Sequence, residues 1–312
     1  MARKKEILFC DYFDNWIETY KVGAVEEVTL AKYQMAARHL RSICPRLLMS
    51  DFDRAAYQKI INEYAKTHEK QTTADFHHII KGCIRDAFHD GVLPKDPTYR
   101  VVLKGKTPRE KKKKFLQKNE LQKLVQSLDL SEINIDWFIL LVAKTGMRYS
   151  EALAITPADF DWSVATLTID KTWDYKSNAG FKKTKTPSSV RTIKVDWQIV
   201  GQFKPMIQGL PENEPIFVEK FDDGSYKRQY NSTINSQLSA KCKSLGITVI
   251  TLHALRHTHA SVLLAEGVSI HTISSRLGHA DVGVTQETYA HVLDELQKKD
   301  DQKMMAVLMQ IA

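Results

Sequence analysis

A tyrosine, an arginine and two histidines that could act on a phosphate fall within one stretch near the end of the chain, 251–291 (TLHALRHTHASVLLAEGVSIHTISSRLGHADVGVTQETYAH), as His253, Arg256, His279 and Tyr289. A deprotonated tyrosine is a nucleophile, a guanidinium forks onto phosphate oxygens, and an imidazole moves protons near neutral pH. Thr251 is placed to cap a helix closed by Gly267, and Ser269 to cap a second. His253 and Arg256 lie three apart, so they share a face of the first helical turn, where open backbone N–H groups favour an anion. These features read as a phosphate site. Five histidines of the segment ahead of its terminal His291 (253, 257, 259, 271 and 279) also raise a metal site. No HExxH occurs, the cysteines are remote, and Arg256 would set a cation beside any ion held by His253 and His257. No metal is therefore expected, and His257 and His259 read as buried, hydrogen-bonded core residues.

The elements that must position these groups lie upstream. A buried helix over Ile133–Lys144 (carrying WFILLVA) ends at Gly146, and Arg148 follows at a tight corner before a short helix, SEALAI, capped by Ser150 and stopped by Pro157. A rigid apolar helix behind such a corner holds a guanidinium still. VATLTID and SVRTIKV, within 164–195, alternate with period two and predict a small antiparallel sheet, with a lysine-rich turn region, KTWDYKSNAGFKKTKTPS, between them. Helices are expected over 196–208 and 226–244, and a short strand or turn at PIFVEK. Before Phe115, four helical patterns and no strand pattern predict a small all-α domain: 9–22, Val28–Ile43 capped by Thr29, a third capped by Ser50 or Asp51 and running to about His68, and 71–90. The fold class is thus mainly α with a small antiparallel β-sheet. The domains are a helical part, 1–103; a basic, proline-punctuated linker, 104–114; a second domain, 115–295, whose first helix Asn119 caps; and a tail helix, 296–312.

Charge narrows the partner. Segment 104–118 carries eight Lys/Arg against Glu110 and segment 171–194 seven against Asp174, so these stripes hold +13 while the rest of the chain sums to −5. Concentrated basic stripes favour a polyanion such as nucleic acid. The linker lysines Lys111, Lys112, Lys113 and Lys114 and the hairpin lysines Lys182 and Lys183 are the expected phosphate contacts, with salt-dependent affinity. No apolar run approaches the ~20 residues that span a bilayer. The N-terminal segment makes a poor signal peptide, and four scattered cysteines without a CxxC pair fit a reducing, cytoplasmic setting.

In order and spacing, TGMRYSE, the lysine hairpin before SVRTI, HALRHTHAS and LGHADVGVTQETY resemble the tyrosine recombinases, the lambda-type phage and conjugative-transposon integrases above all. The likeness covers roughly 115–295, and the helical part before it resembles that family's core-binding domain. The resemblance implies that DNA is gripped as in a clamp between the two domains. Tyr289 would attack a scissile phosphate to leave a 3′-phosphotyrosine and a free 5′-hydroxyl, without ATP, metal or other cofactor. Arg148 and Arg256 would bind the phosphate, His253 would assist Tyr289, His279 would donate to a non-bridging oxygen, and Glu151 would orient the arginine corner. A hairpin lysine (Lys182, Lys183 or Lys185, of which Lys185 best fits the family pattern) would protonate the departing oxygen. The implied partners are double-stranded attachment sites, a homotetramer on DNA formed from a chain that can be monomeric in solution, and an accessory DNA-bending or directionality factor. The amphipathic tail would dock on a neighbouring protomer. The further N-terminal domain that binds arm-type sites in many lambda-type integrases is expected to be absent or trimmed. The alternatives are a type IB topoisomerase-like nicking-closing enzyme and a DNA-binding relative that has lost catalysis.

Overall fold

Helical periodicity governs most of the chain, and among the described residues the strands lie between residues 160 and 195. The computed structural model describes residues 7–107, 115–177, 180–184 and 186–310, except for the side chains of 291, 294–303, 306, 307 and 310. Lys111–Lys114 and Lys185 lie outside the described residues. The chain divides into two compact units, Met1–Lys111 and Lys112–Ala312.

The first unit holds α1 (Phe9–Tyr20), α2 (Glu27–Ile43), α3 (Arg54–Ala65) and α4 (Lys70–His89). Their apolar stripes meet in one core that includes Phe13, Trp16, Leu40, Tyr57, Ile61, Ile80 and Ile84. The polar edges of the aromatics are satisfied: Trp16 Nε1 donates to Asp86 at 2.8 Å, and Tyr57 Oη lies 2.6 Å from His77 Nδ1. Two caps differ from expectation. Thr29 sits inside α2, which already begins at Glu27. Asp53, not Ser50 or Asp51, caps α3 by accepting from the Ala56 N–H at 2.7 Å, because Met49–Asp51 is taken up by a separate 3₁₀ turn.

The second unit begins its helices with α5 (Lys118–Gln126), preceded by Gln117, whose N–H donates to the Glu120 carboxylate at 2.9 Å, so Asn119 is not the cap. Asn134 caps α6 (Ile135–Thr145), and Trp137 through Ala143 are all buried. The corner then leads to α7 (Tyr149–Leu153). Strands β1 (Phe160–Asp161), β2 (Thr166–Ile169) and β5 (Arg191–Lys194) form an antiparallel sheet in the order β1-β2-β5, with Ile169 opposite Arg191 and Thr166 opposite Lys194. The intervening lysine-rich segment contains a second antiparallel pair, β3 (Lys171–Trp173) with β4 (Phe181–Lys183). Its anchor is Trp173, fully buried and edge-on to Phe181 and Tyr226.

A π-helical turn, Ile199–Phe203, leads into α8 (Lys204–Ile207); PIFVEK is a turn, and α9 spans Asn231–Ser244. The last helices are α10 (Leu252–Ala265), α11 (Ile270–Leu277) and α12 (Val282–Gln310). Thr251 and Ser269 cap α10 and α11 as their positions predict. The main core joins α6 and the sheet to the start of α10, and a smaller cluster of Leu264, Ile273, Leu277, Tyr289 and Val292 joins α10, α11 and α12.

Gly146, at φ 69°, turns the chain out of α6, and an added Cβ would come within 2.8 Å of both His259 and Leu277. Gly146→Ala should therefore combine left-handed strain with overpacking and cost about 2–4 kcal/mol of folding free energy. Urea denaturation followed by fluorescence checks this, against a Gly180→Ala control that meets no such contact.

Candidate active site

Two helices, α6 and α11, end at left-handed glycines, Gly146 and Gly278. Helix C-termini present carbonyls without intrahelical partners and a partial negative charge. Arginines meet these carbonyls. Arg256, 3% exposed on α10, donates from Nη1 to Gly146 O at 2.8 Å and from Nη2 to Leu277 O at 2.7 Å. Arg148 reaches Gly278 O at 3.3 Å. Arg191 Nε donates to Arg276 O at 2.6 Å, and Arg276 donates to Lys144 O and Lys194 O at 3.1 and 3.0 Å. The two corners are thereby joined through guanidinium groups.

One carboxylate lies among them. Glu151, 1% exposed, accepts from Arg148 Nη1 at 2.6 Å, from the Arg148 backbone N–H at 2.8 Å and from Arg191 Nη2 at 2.9 Å. The residue at the helix N-cap is thus Arg148, with Ser150 inside the helix; the carboxylate of the third helical residue, not a serine hydroxyl, satisfies the cap. Burial opposes charge on Glu151, but the hydrogen bond and charge of Arg191, followed by Arg148, hold its carboxyl below the ordinary value. Gly278 is needed here as well, since a Cβ would lie 2.9 Å from Arg191 Nη1.

Desolvation lowers Arg256 to about 9, with Arg148 adding repulsion, so the guanidinium remains charged at neutral pH. His253 is pushed down by burial and then by Arg256 and Arg148. His279 falls to about 4 through burial, with Arg256, Arg148 and Arg191 adding to it, and is therefore neutral. His279 Nδ1 lies 2.7 Å from Thr285 Oγ1; with the threonine donating, Nε2 carries the hydrogen and can be offered to an oxygen. The Leu252 and Ala254 N–H groups of α10 are already taken by Asn235 Oδ1 and Thr251 Oγ1, so attraction for an anion in that first turn falls chiefly to side chains.

Tyr289 sits where α12 breaks: its φ of −112° and ψ of 17° interrupt the helix. The residue is 2% exposed, and burial raises its phenol to about 12 against the opposing pull of Arg256. Its hydroxyl lies 3.1 Å from His257 Nδ1, and His253 packs edge-on against His257 with ring centroids 4.8 Å apart. His259 is the buried core residue its context predicts, lowered to about 3 by burial and bonded to Ala143 O and Arg276 Nε.

The structure therefore brings Arg148, Glu151, His253, Arg256, His279 and Tyr289 into one electrostatically linked cluster. Lys182 is ion-paired with Asp174 at 2.7 Å on the β3–β4 hairpin, and Lys183 is exposed opposite Lys171. Among the described residues, no group of three or more His, Cys, Asp or Glu is arranged to hold a metal, and no helix is long and apolar enough to cross a membrane. Arg191, Arg276, Thr285 and the contact of His257 escape the sequence reading. Arg191 left a signal, being in phase with Ile193 and Val195 on the buried face of its strand.

A cluster of this composition on this fold has clear relatives. Residues 114–295 match the model of the phage integrase family, and the chain belongs to that family of tyrosine recombinases. The integrase of Staphylococcus phage L54a is 28% identical, over 96% of this chain and 93% of its own length. The ICEBs1 integrase of Bacillus subtilis is 26% identical over 70% of this chain and 61% of its own. Among solved structures, a Tn1549 transposon integrase fragment in complex with transposon right end DNA shares the fold with a TM-score of 0.76 at 18% identity, over 95% of this chain and 99% of that one.

Removing the carboxylate charge tests the electrostatic frame. Glu151→Gln leaves Arg191 buried without its counter-charge and should cost about 3 kcal/mol. Because the folded carboxyl sits below its unfolded value, its stabilisation is complete above the ordinary carboxylate range and is lost as pH falls through the folded value. The variant's stability should thus fall less steeply in acid than that of the unmodified chain, as read by denaturation at a series of pH values.

Proposed function

We propose that this chain is a site-specific DNA recombinase of a phage or mobile element that cuts and rejoins strands through Tyr289. The observation that carries the reading is a buried tyrosine hydroxyl held in the field of Arg256, beside histidines and the Arg148–Glu151 corner. In the reaction, Tyr289 Oη attacks a scissile phosphorus, a 3′-phosphotyrosine forms, and the 5′-oxygen leaves. Attack by a partner strand's 5′-hydroxyl reverses the step, so the energy of the phosphodiester is conserved. Arg148 and Arg256 bind the non-bridging oxygens and stabilise the charge that grows in the pentacoordinate transition state. His279 donates through Nε2, His253 shares in proton transfer, and Lys185 protonates the departing oxygen. Glu151 positions Arg148.

Double-stranded DNA is the proposed partner, contacted through the basic linker Lys111–Lys114 and the hairpin lysines Lys182 and Lys183, with the helical unit as a second DNA-binding body. Assembly as a homotetramer on DNA is supported by the tail of α12, where Met304, Met305, Leu308 and Met309 are all exposed. Such an apolar row fits docking on a neighbouring protomer, and deletion of 300–312 should abolish synapsis in native gels while leaving DNA binding by single protomers in place.

A pool of nicked duplexes of random core sequence, incubated with the protein in EDTA, tests the chemistry. A covalent protein–DNA adduct should form and survive denaturing electrophoresis, and the trapped duplexes then serve as defined substrate. Tyr289→Phe should abolish the adduct; an adduct that persists, or that requires added metal, overturns the reading. Arg256→Ala should lose at least ~10²-fold in cleavage, the scale of a lost oxyanion donor, with far smaller loss in binding.

A further inference from the structure

Resting on the recombinase reading, we infer that His257 is a catalytic residue: its Nδ1 takes the phenol proton of Tyr289 during attack and returns it during rejoining. His257 Nδ1 is 3.1 Å from Tyr289 Oη, within reach of direct transfer. The rings lie 5.9 Å apart between centroids, and the smaller cluster of α10, α11 and α12 fixes the tyrosine against the helix that carries the histidine. With Nδ1 unprotonated, the hydroxyl donates to it, and Nε2 holds the imidazole hydrogen.

The need for an acceptor follows from the same burial. A phenol raised to about 12 does not ionise by itself at neutral pH, so its proton must leave as the new bond forms. Arg256 cannot accept it, being a charged donor already bonded to two carbonyls. His253 meets the ring of His257, while the tyrosine hydroxyl meets His257 itself, so the share of His253 in proton transfer is as a neighbour of His257. His279 has Nδ1 engaged with Thr285. Among the described residues, the titratable and charged groups around His257 include His253 and Arg256 on its own helix, Tyr289 from α12, and His279 from the turn between α11 and α12.

The step balances without further reagents. The Oη–P bond forms as Oη–H breaks toward His257 Nδ1, and the P–O5′ bond breaks with its electron pair going to the 5′-oxygen, which is protonated by the general acid. On rejoining, the imidazolium returns its proton to Oη as the phosphotyrosine bond opens.

The test uses the full-length chain and the duplex trapped by the unmodified protein, with adduct formation followed in a single turnover. His257→Ala should slow the step by about 10²-fold or more at neutral pH. His257→Asn, which can keep a hydrogen-bonding group near Nδ1 but cannot carry the proton, should be slowed comparably. Incorporation of 3,5-difluorotyrosine at 289, whose phenol ionises more readily, should restore most of the rate in both variants. Cleavage by His257→Asn within threefold of the unmodified chain, or failure of the fluorinated tyrosine to narrow the gap, overturns the inference. If both variants fail to fold, the acid limb of the rate profile decides: it should weaken when 3,5-difluorotyrosine replaces Tyr289 in the otherwise unmodified chain, and an unchanged limb overturns proton transfer to His257. Full activity of the His257 variants together with loss of the adduct in Tyr289→Phe removes this inference alone, whereas an adduct in Tyr289→Phe removes the recombinase reading beneath it.

Discussion

The pairing of Glu151 with Arg148 and Arg191 is the interaction on which the rest of the second unit depends. Four guanidinium groups, those of Arg148, Arg191, Arg256 and Arg276, gather around the ends of α6 and α11. Burying cations side by side is costly unless each finds negative partners. Glu151 supplies one full charge, and the carbonyls at the two helix ends supply partial ones. The design uses the weak negative pole of two helices as scaffolding for a strongly positive site. A phosphate entering there would complete an arrangement whose own protein partners leave positive charge in excess.

This arrangement also separates rigidity from reactivity. Arg191 and Arg276 direct their donors inward, to Glu151, His259 and backbone carbonyls, and so belong to the frame. Arg148 is the more open of the site arginines, with about a third of its side chain accessible, and can reach a ligand without giving up its backbone anchor on Glu151. The close approaches at Gly146 and Gly278 follow from that crowding: neither corner has room for a Cβ.

Much of this was legible in the sequence, for identifiable reasons. The Gly146–Arg148 corner, the Thr251 and Ser269 caps and the pairing of VATLTID with SVRTIKV are local signals, written in capping residues and in periodicity. Arg148, His253, Arg256, His279 and Tyr289 were legible because motif order carries information that no single motif does. The partners were not legible. That Arg191 meets Glu151 across forty residues, or that Thr285 meets His279, depends on which faces of distant elements come together, and a charged residue inside a strand looks like surface until its phase is compared with Ile193. His257 was read as core for a related reason: a half-buried histidine is usually structural, and only the turn of α12 brings a hydroxyl to it.

The break in α12 at Tyr289 has a mechanical meaning. In a continuous helix a side chain can change its outlook only by rotamer or by tearing ladder hydrogen bonds, at roughly 1 kcal/mol net for each bond. A residue already outside helical geometry carries its own pivot, since turning its φ and ψ swings the segments on either side with the ladders inside them preserved. The length of α12 beyond the pivot then acts as a lever arm whose short end is the phenol. Whatever takes hold of the far end gains leverage over how deeply the hydroxyl sits.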